Sequence, residues 1–264
     1  MPSRQMNRRL WSSYDWRRGG EEWSENWGTT ANLWYGTLMP RLSAWLGDVR
    51  AVEIGPGHGR LTAYLRHYCR SLVLVDIAPN CIEFCRQRFA GAADLEFAVN
   101  NGSSLAFLPD ASIDLVFSFD SLVHADVEVI GAYLPEIERV LRVGGHALVH
   151  HSNLAAVLAE EGGSGGHAGF HMRARDVSAA FVADASSRLA SLECRTQELI
   201  SWDESLRLLD CISTFVRSVP RDQAPPDRFP NPDFYTRARE LRALGARYRD
   251  PAHTFEGSGA CRTS

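Results

Sequence analysis

The sequence predicts an α/β fold with a doubly wound, mostly parallel sheet. Three observations support it: short apolar runs recur along the middle of the chain, segments of helical periodicity separate them, and a G-x-G-x-G turn follows the first run at residues 55–59. Strands that alternate with helices at this spacing form parallel sheets with right-handed crossovers. With 264 residues and an apolar fraction of 45%, the chain can bury such a core as one large domain with appendages.

The first half of the sheet is predicted from residue 50 onward. Apolar runs indicate strands at 50–54, 72–76 and 95–99. Helices are expected between them, at 59–68 and 81–90.

The second half begins with strands at 114–119 and 146–150. Between them, apolar residues share one face of a helix at 130–141, which Pro135 interrupts and which stops at Gly144-Gly145.

A helix near 175–190 and two more strands, at 192–200 and 208–217, complete the domain. These strands give a Rossmann-like, seven-stranded sheet whose last strand is antiparallel.

The segments that flank the sheet differ from it in composition. Six of the seven Trp residues precede residue 48, so we divide the chain into an N-terminal Trp-rich helical cap at 1–47, a central α/β domain at 48–218 and a C-terminal helical extension at 219–264. A helix is expected within the extension at 234–248. Inside the central domain, the Gly-rich loop at 158–170 is expected to be mobile.

The turn after the first strand indicates a nucleoside cofactor site. Gly55 and Gly57 allow the backbone to approach a ligand closely, and Asp76, at the end of the second strand, can accept hydrogen bonds from both ribose hydroxyls. The dinucleotide fingerprint is G-x-G-x-x-G, whereas this turn reads G-x-G-x-G after an acid, Glu53. An acid there suits a ligand that carries an ammonium group better than one that carries a pyrophosphate. The glycine spacing disfavours an NAD-dependent oxidoreductase.

The segment from Glu53 to Gly59 resembles motif I, [DE]-x-G-x-G-x-G, of the class I S-adenosylmethionine (SAM) dependent methyltransferases. The similarity extends over residues 50–217 and is strongest over 50–152. It implies that residues 48–218 bind SAM. The cofactor-binding residues that it implies are Glu53, Gly55, Pro56, Gly57, Gly59, Asp76, Ile77, Asn101, Gly102 and Phe119.

By this resemblance, the glycine turn holds the methionine part of SAM, Asp76 binds the ribose and Ile77 packs on the adenine. Asn101-Gly102 stands where the family often has Asp-Ala or Asp-Gly. Asn101 can still accept a hydrogen bond from the adenine amino group through its carbonyl oxygen.

Two further segments, 117–124 and 150–153, resemble small-molecule and natural-product enzymes, namely the sugar O-methyltransferases and amino-sugar N-methyltransferases of antibiotic biosynthesis. The resemblance implies methyl transfer to a hydroxyl of a small metabolite such as a sugar-containing natural product. Two alternatives stay open: an N-methyltransferase that acts on an amine of an amino sugar or aminoglycoside, and a non-catalytic SAM-fold partner subunit.

The expected catalytic residues lie at the carboxyl ends of the fourth and fifth strands, where open α/β sheets bind ligands. Because His150 and His151 alternate in direction, at most one should face the pocket, and we expect His151 to be the general base. His124 is its alternative or partner. Asp120 orients a base, holds a substrate amine or only caps the next helix.

Substrate contacts are expected from aromatic and polar side chains near the same edge of the sheet. The Trp-rich cap either packs a helix onto the sheet or covers the ligands. The residues expected to contact the substrate are Tyr14, Trp16, Trp27, His150, Asn153 and His171.

Composition excludes several other classes of function. The net charge is −4, which does not suggest nucleic-acid binding, and all 28 basic residues are Arg, so no Lys can serve as a base or form a Schiff base. No apolar stretch is as long as a membrane span and the first nine residues lack a signal-peptide core, so a cytoplasmic location is expected. No convincing carboxylate cluster is seen, so no metal is predicted. The sequence does not indicate an oligomeric state.

Overall fold

The computed structural model describes residues 3–162, 173–220 and 223–248. His171, and the part of the loop predicted at 158–170 that follows residue 162, lie outside the described residues. Within the described residues, no helix combines the length and the hydropathy needed to cross a bilayer.

A single mixed sheet forms the centre of the molecule. Its order is β3-β2-β1-β4-β5-β7-β6-β8. The strands are β1 (Arg50–Ile54), β2 (Ser71–Asp76), β3 (Leu95–Val99), β4 (Ile113–Ser118), β5 (Leu141–Ser152), β6 (Leu192–Ile200), β7 (Asp210–Arg217) and β8 (Asp227–Asn231).

The strand directions agree with a mostly parallel sheet. β7 runs antiparallel to both of its neighbours, β5 and β6, while the other neighbouring pairs are parallel. The strand predicted to be antiparallel is therefore antiparallel.

The predicted count of seven strands is wrong, because Asp227–Asn231, assigned to the C-terminal extension, pairs with β6 as an eighth. This segment has no apolar alternation and contains Pro230, which lacks an N–H for the ladder. Proline is tolerated on an edge strand, and the Arg228 side chain donates to Gln197 Oε1 at 2.6 and 2.9 Å.

The helices follow the predicted alternation with shifted bounds. They are α1 (Arg4–Ser13), α2 (Thr30–Leu33), α3 (Met39–Leu42), α4 (Thr62–Leu65), α5 (Pro79–Arg88), α6 (Val127–Val140), α7 (Leu154–Glu160), α8 (Ala179–Ser187) and α9 (Phe234–Arg247). Pro135 lies inside α6 without splitting it, and α7 occupies a stretch that was not predicted to be helical.

Both faces of the sheet are buried, as a parallel sheet requires. Along β1, Val52 and Ile54 belong to the core beneath α6 and α8, whereas Ala51 belongs to the core on the other face. That second core contains the N-terminal helices, α4, α5 and α9. Trp34, fully buried in a π-helical turn between α2 and α3, is part of it.

The chain order places a functional edge in the middle of the sheet. From β1 the chain moves outward to β2 and β3, and it then returns to β4 and moves the other way. In open α/β sheets, ligands bind where the strand order reverses, at the carboxyl ends of the strands. Here that position is next to residues 55–59 after β1 and residues 119–121 after β4.

Candidate active site

A cleft of about 910 Å³ lies at this edge of the sheet. We call it the glycine-turn cleft, since the turn at residues 55–57 forms its floor. Eight of the ten predicted cofactor residues line it: Glu53, Gly55, Pro56, Gly57, Asp76, Ile77, Gly102 and Phe119. The edge that topology selects is thus the edge that the motif predicts.

Two glycines of the turn are required by geometry. Gly55 has φ = 70°, and a Cβ built on it would lie 1.8 Å from Ser121 Oγ. Gly59 has φ = 77°, and its Cβ would lie 2.6 Å from the ring of Phe89. Gly59 does not line the cleft and instead lets the turn pack on the residue that follows α5.

Glu53 extends from β1 beneath the turn and is nearly inaccessible to solvent. Its Oε2 accepts a hydrogen bond from Thr62 Oγ1 at 2.6 Å. Burial raises the pKa of Glu53 to about 7, and the Thr62 hydroxyl only partly offsets this effect. A cationic group placed in the cleft would therefore stabilise the ionised carboxylate.

Asp76 ends β2, the strand next to β1, and also lines the cleft. Its Oδ2 accepts from the Gly57 N–H at 3.2 Å and its Oδ1 accepts from the Ala78 N–H at 2.8 Å. Burial raises the pKa of Asp76 to about 6, although both N–H groups act in the opposite direction. Each carboxylate oxygen keeps acceptor capacity for a further donor such as a hydroxyl.

The predicted adenine contact of Asn101 is corrected by the structure. Asn101 is exposed and lies outside the cleft lining, because its Oδ1 accepts from the Ser103 N–H at 3.0 Å. Gly102 does line the cleft, with φ = 89° and no room for a Cβ beside Ile77 Cδ1, 2.5 Å away. At this part of the cleft, the lining therefore consists of Gly102 from the turn after β3 and Ile77 from the turn after β2. The amide side chain of Asn101 is not part of it.

The N-terminal segment covers the cleft. In α1, Arg4 donates to Ser103 Oγ at 3.1 Å and Asn7 donates to the His124 carbonyl at 2.7 Å. Trp16 stacks on His58 with ring centroids 4.4 Å apart, and its ring lies 2.7 Å from where a Cβ on Gly57 would be. The Trp16 ring thus forms part of the roof over the glycine turn.

The two other aromatic residues predicted to face the substrate do not line this cleft. The Tyr14 hydroxyl donates to Glu22 Oε1 at 2.7 Å, inside a cluster of rings with Trp11, Trp16 and Trp23. Trp27 is buried in the core, where its Nε1 donates to Thr37 Oγ1 at 2.8 Å.

A second cavity of about 1110 Å³ adjoins the glycine-turn cleft. We call it the tryptophan cavity after Trp11, Trp23 and Trp202 in its lining. The two spaces share four lining residues: Trp11, Trp23, Asp120 and His124. The remaining lining residues of the tryptophan cavity include Glu22, Asp203 and Arg173.

Asp120 lies at the junction of the two spaces, two residues after the end of β4. It is one of three non-glycine residues with positive φ among the described residues, at 61°. This left-handed conformation costs roughly 1–3 kcal/mol and persists only where the surroundings impose it. Its Oδ2 accepts from Arg60 Nη2 at 2.9 Å.

His150 is fully buried behind Asp120 and lines neither space. The Asp120 N–H donates to His150 Nδ1 at 3.1 Å, and His150 Nε2 lies 3.5 Å from Asp210 Oδ2. Burial lowers the pKa of His150, but the two carboxylates more than offset this and raise it overall. The predicted substrate contact of His150 is therefore replaced by a contact with a residue of the lining.

The prediction that His151 is the base is wrong, because the side chain points away from both spaces. It is fully buried, with Nε2 2.8 Å from Ser213 Oγ and Nδ1 2.9 Å from the Ser152 carbonyl. Burial lowers its pKa to about 4, so the imidazole stays neutral. Asn153 is also structural, since it donates to the Leu208 carbonyl and accepts from the Ala179 N–H.

Several lining residues escaped sequence analysis. Arg60 directly follows the motif, is nearly buried and joins Asp120 to Ser24 Oγ at 2.6 Å. Because Arg60 directly follows Gly59, the sequence could have identified it as a lining residue. Trp202 and Asp203 gave none, because they reach the tryptophan cavity from the loop between β6 and β7, far along the chain.

Among the described residues, no group of three or more His, Cys, Asp or Glu side chains is arranged to hold a metal ion.

Comparison with known proteins supports the same type of domain. Residues 52–149 match a family model described as a methyltransferase domain. The biotin biosynthesis bifunctional protein BioHC of Cellvibrio japonicus (strain Ueda107) is 33% identical over 112 residues, which are 42% of this chain and 21% of that protein. The chain thus matches about a fifth of the length of this curated relative.

The solved structures that are similar in fold include two methyltransferases. The N-methyltransferase NodS from Bradyrhizobium japonicum WM9, in complex with S-adenosyl-L-homocysteine (SAH), has a TM-score of 0.54 and 19% identity over 82% of this chain and 99% of that one. A SAM-dependent methyltransferase from Mesorhizobium loti has a TM-score of 0.52 and 14% identity over 67% and 96% of the two chains.

These likenesses show the Rossmann-like α/β fold of SAM-dependent methyltransferases and support a class I domain with SAM as its cofactor. The residues present fit that cofactor. At Gly55 and Gly57 of the turn a Cβ would collide with Ser121 and Trp16, and the carboxyl groups of Glu53 and Asp76 belong to the same cleft lining.

Proposed function

We propose that this protein is a SAM-dependent methyltransferase that methylates a hydroxyl of a small metabolite bound in the tryptophan cavity. The observation that carries the proposal is the junction between the two spaces, where Asp120 and His124 line both. A methyl donor in one space and a nucleophile in the other would meet at this junction. A sugar-containing natural product remains the proposed acceptor, on the resemblance of segments 117–124 and 150–153.

Each wall of the glycine-turn cleft has a proposed part in binding the cofactor. Gly55 and Gly57 admit the methionine part and Glu53 faces its ammonium group, while Asp76 accepts from the ribose hydroxyls. Ile77 and Gly102 border the adenine. When bound, SAM supplies a methyl group already activated by a sulfonium.

The chain must then align the acceptor and remove one proton. His124 is the proposed base, since this residue lines both spaces and its ring packs on Trp11 with centroids 5.0 Å apart. As the new carbon–oxygen bond forms and the carbon–sulfur bond breaks, the hydroxyl proton passes to a ring nitrogen of His124. The aromatic roof, including Trp16, keeps water from the donor.

An amine acceptor is the second candidate, and the charge of the tryptophan cavity favours it. The carboxylates of Glu22, Asp120 and Asp203 line the cavity beside indole rings. They outnumber the one guanidinium among its described lining residues, that of Arg173, so the excess negative charge suits a cationic acceptor. An amine needs only its neutral form for attack and an acceptor for the proton that it loses, so it depends less on His124.

The proposal is tested by incubating the protein with SAM and a panel of sugars and aminoglycosides, and by measuring a gain of about 14 Da, the net CH₂ added when a methyl group replaces a hydrogen. We expect His124→Ala to lower kcat for a hydroxyl acceptor by about 10². The control is His146→Ala, because His146 also stacks on a tryptophan, Trp45, but lies outside both spaces.

Three outcomes separate the candidates. Wild-type turnover of the His124→Ala variant would exclude this base. Methylation of amines alone, unaffected by His124→Ala, would favour the second candidate. Calorimetry that detects binding of neither SAM nor SAH would remove the enzyme assignment and leave a non-catalytic partner subunit.

A further inference from the structure

Asp120 occupies an unusual backbone position that something must maintain. It is a non-glycine residue at φ = 61°, two residues after a buried strand, and it lines both the glycine-turn cleft and the tryptophan cavity. The left-handed region is unfavourable for a residue with a Cβ, and such conformations concentrate at functional sites. The contacts that hold Asp120 therefore decide where its carboxylate points.

Two side chains hold it from opposite directions. Arg60 donates to Oδ2 at 2.9 Å from the side of the glycine turn. From within the sheet, His150 Nδ1 accepts the Asp120 N–H at 3.1 Å and lies 3.5 Å from Oδ1. The hydrogen bond to the backbone N–H matters most here, because it fixes the peptide whose φ is positive.

His150 is itself fixed. Since Nδ1 accepts from the Asp120 N–H, the proton of the neutral ring lies on Nε2, which is 3.5 Å from Asp210 Oδ2. The ring stacks on Phe119 with centroids 4.6 Å apart and contacts Trp202 at 5.6 Å. His150 is opposite Ile212 in the β5–β7 ladder, so Asp210, two residues before Ile212, reaches it along the same face.

Asp210 is anchored in turn. It is fully buried, and Arg173 donates to both of its oxygens, with Nε at 2.8 and 3.1 Å and Nη2 at 3.0 Å. Arg173 also lines the tryptophan cavity. A buried row of charged and polar side chains, Arg173–Asp210–His150–Asp120–Arg60, therefore connects the walls of the two spaces.

We infer that His150 is a positioning residue: supported by Asp210, it holds Asp120 in its left-handed conformation at the junction, without touching cofactor or acceptor itself. The role of the junction in methyl transfer rests on the proposed function. The positioning of Asp120 rests only on the contacts above.

The charges around Asp120 give the inference a signature. Arg60 and His150 face its carboxylate, Asp210 and Arg173 lie behind His150, and His124 lines the same two spaces. Burial acts against ionisation of Asp120, but its contacts, including Arg60 at 2.9 Å, outweigh burial and keep the pKa of Asp120 below its usual range. Without His150 to hold its backbone N–H, Asp120 should move its carboxylate away from Arg60, and its pKa should rise.

The test compares His150→Phe, which keeps a stacked ring but removes both nitrogens, with His150→Asn, whose amide oxygen can replace Nδ1 as an acceptor. The matched control is His151→Phe, since His151 is equally buried on the same strand and points away from both spaces. The first measurement is the titration of the Asp120 carboxyl by carbon-13 NMR, assigned with Asp120→Asn. It needs neither cofactor nor acceptor.

We expect the pKa of Asp120 to rise in His150→Phe, to return towards the wild-type value in His150→Asn and to stay unchanged in His151→Phe. With an acceptor found by mass spectrometry, His150→Phe should lower kcat about tenfold or more and shift the acidic limb of the pH profile upward, with KM for SAM nearly unchanged. SAH affinity and the unfolding midpoint show that each variant is folded.

An unchanged Asp120 titration in folded His150→Phe would overturn the inference, and so would an equal shift in His151→Phe. Failure of the proposed function is a separate result, namely a wild-type protein that binds no SAH or methylates no acceptor while the Asp120 titration still responds to His150.

Discussion

At the scale of single residues, Asp76 connects the glycine turn to the predicted ribose site. Its carboxylate already accepts from the N–H groups of Gly57 and Ala78. We expect Asp76→Asn to lower SAH affinity about 10² or more, because charge-assisted hydrogen bonds contribute about 1.5–3 kcal/mol each and two would be weakened. Isothermal calorimetry measures the change, and Asp114→Asn, at the opposite edge of the sheet, is the control.

The same carboxyl group predicts a pH dependence of binding. Its pKa is about 6 because burial disfavours the charge, so the fraction of ionised acceptor falls as the pH drops through this value. SAH affinity in the wild type should therefore decrease from pH 8 to pH 5.5, and Asp76→Asn should flatten this slope. An affinity of Asp76→Asn equal to the wild type at pH 8 would contradict the ribose assignment.

The sequence predicted the lining of the glycine-turn cleft better than the catalytic residues, for a physical reason. The motif contains the end of a strand, a turn and the start of a helix within a few residues. The residues that surround Gly55 in space are therefore mostly close to it in sequence. The partner of His151 is Ser213, 62 residues later on an antiparallel neighbour. No local pattern reveals that a hydroxyl from another strand satisfies this imidazole, and the alternation rule said only that the two histidines face opposite ways.

At the scale of elements, the N-terminal segment forms both a core layer and a roof. Trp34 packs in the core beneath the sheet, whereas Trp11, Trp16 and Trp23 line the glycine-turn cleft. The sequence left open whether these tryptophans pack a helix onto the sheet or cover the ligand site. In the structure, some of them do the first and others line the cleft. Composition could not separate them, because helical periodicity indicates a buried face but not which surface it meets.

This division predicts a fluorescence response. Ligand binding in the glycine-turn cleft should change the emission of the tryptophans that line it, and Trp16→Phe should remove a measurable part of the change produced by SAH. Trp45→Phe is the control, since Trp45 stacks on His146 at 4.6 Å, outside the cleft. An identical response in wild type and Trp16→Phe would place Trp16 away from the bound ligand.

The edge of the sheet shows what pattern alone misses among elements. β8 has four exposed residues out of five and includes a proline, so it carries no strand signal of its own. It exists because β6 offers a free edge that the returning chain can pair with, before α9 packs against the N-terminal segment through Phe234 and Trp27. Such pairing depends on the assembled sheet.

At the scale of the whole molecule, buried ionisable groups act on stability in opposite directions. Glu53 and Asp76 have raised pKa values, so they favour folding at low pH and lose this contribution as the pH rises through about 7 and 6. Asp210, with a pKa lowered to about 2 by Arg173 and His150 against the effect of burial, stabilises the fold above the unfolded pKa. These opposite contributions partly cancel in the pH dependence of the free energy of unfolding. The contribution of a single group can therefore be measured only by comparing a variant with the wild type.

His151 offers the clearest case. Burial lowers its pKa from 6.5 to about 4, so the unfolded chain binds a proton that the folded chain refuses between these values. The stability that neutral His151 contributes is present above pH 6.5 and lost as the pH falls towards 4.

His151→Phe cannot be protonated, so its cost in free energy of unfolding should shrink by about 2 kcal/mol between pH 7.5 and pH 5, at about 1.36 kcal/mol per pH unit below 6.5. Urea denaturation at both pH values measures this, with exposed His67→Phe as the control. Because the two proteins are compared at each pH, Glu53, Asp76 and Asp210 cancel, and a cost that does not depend on pH would mean that His151 accepts a proton in the folded state as readily as in the unfolded chain.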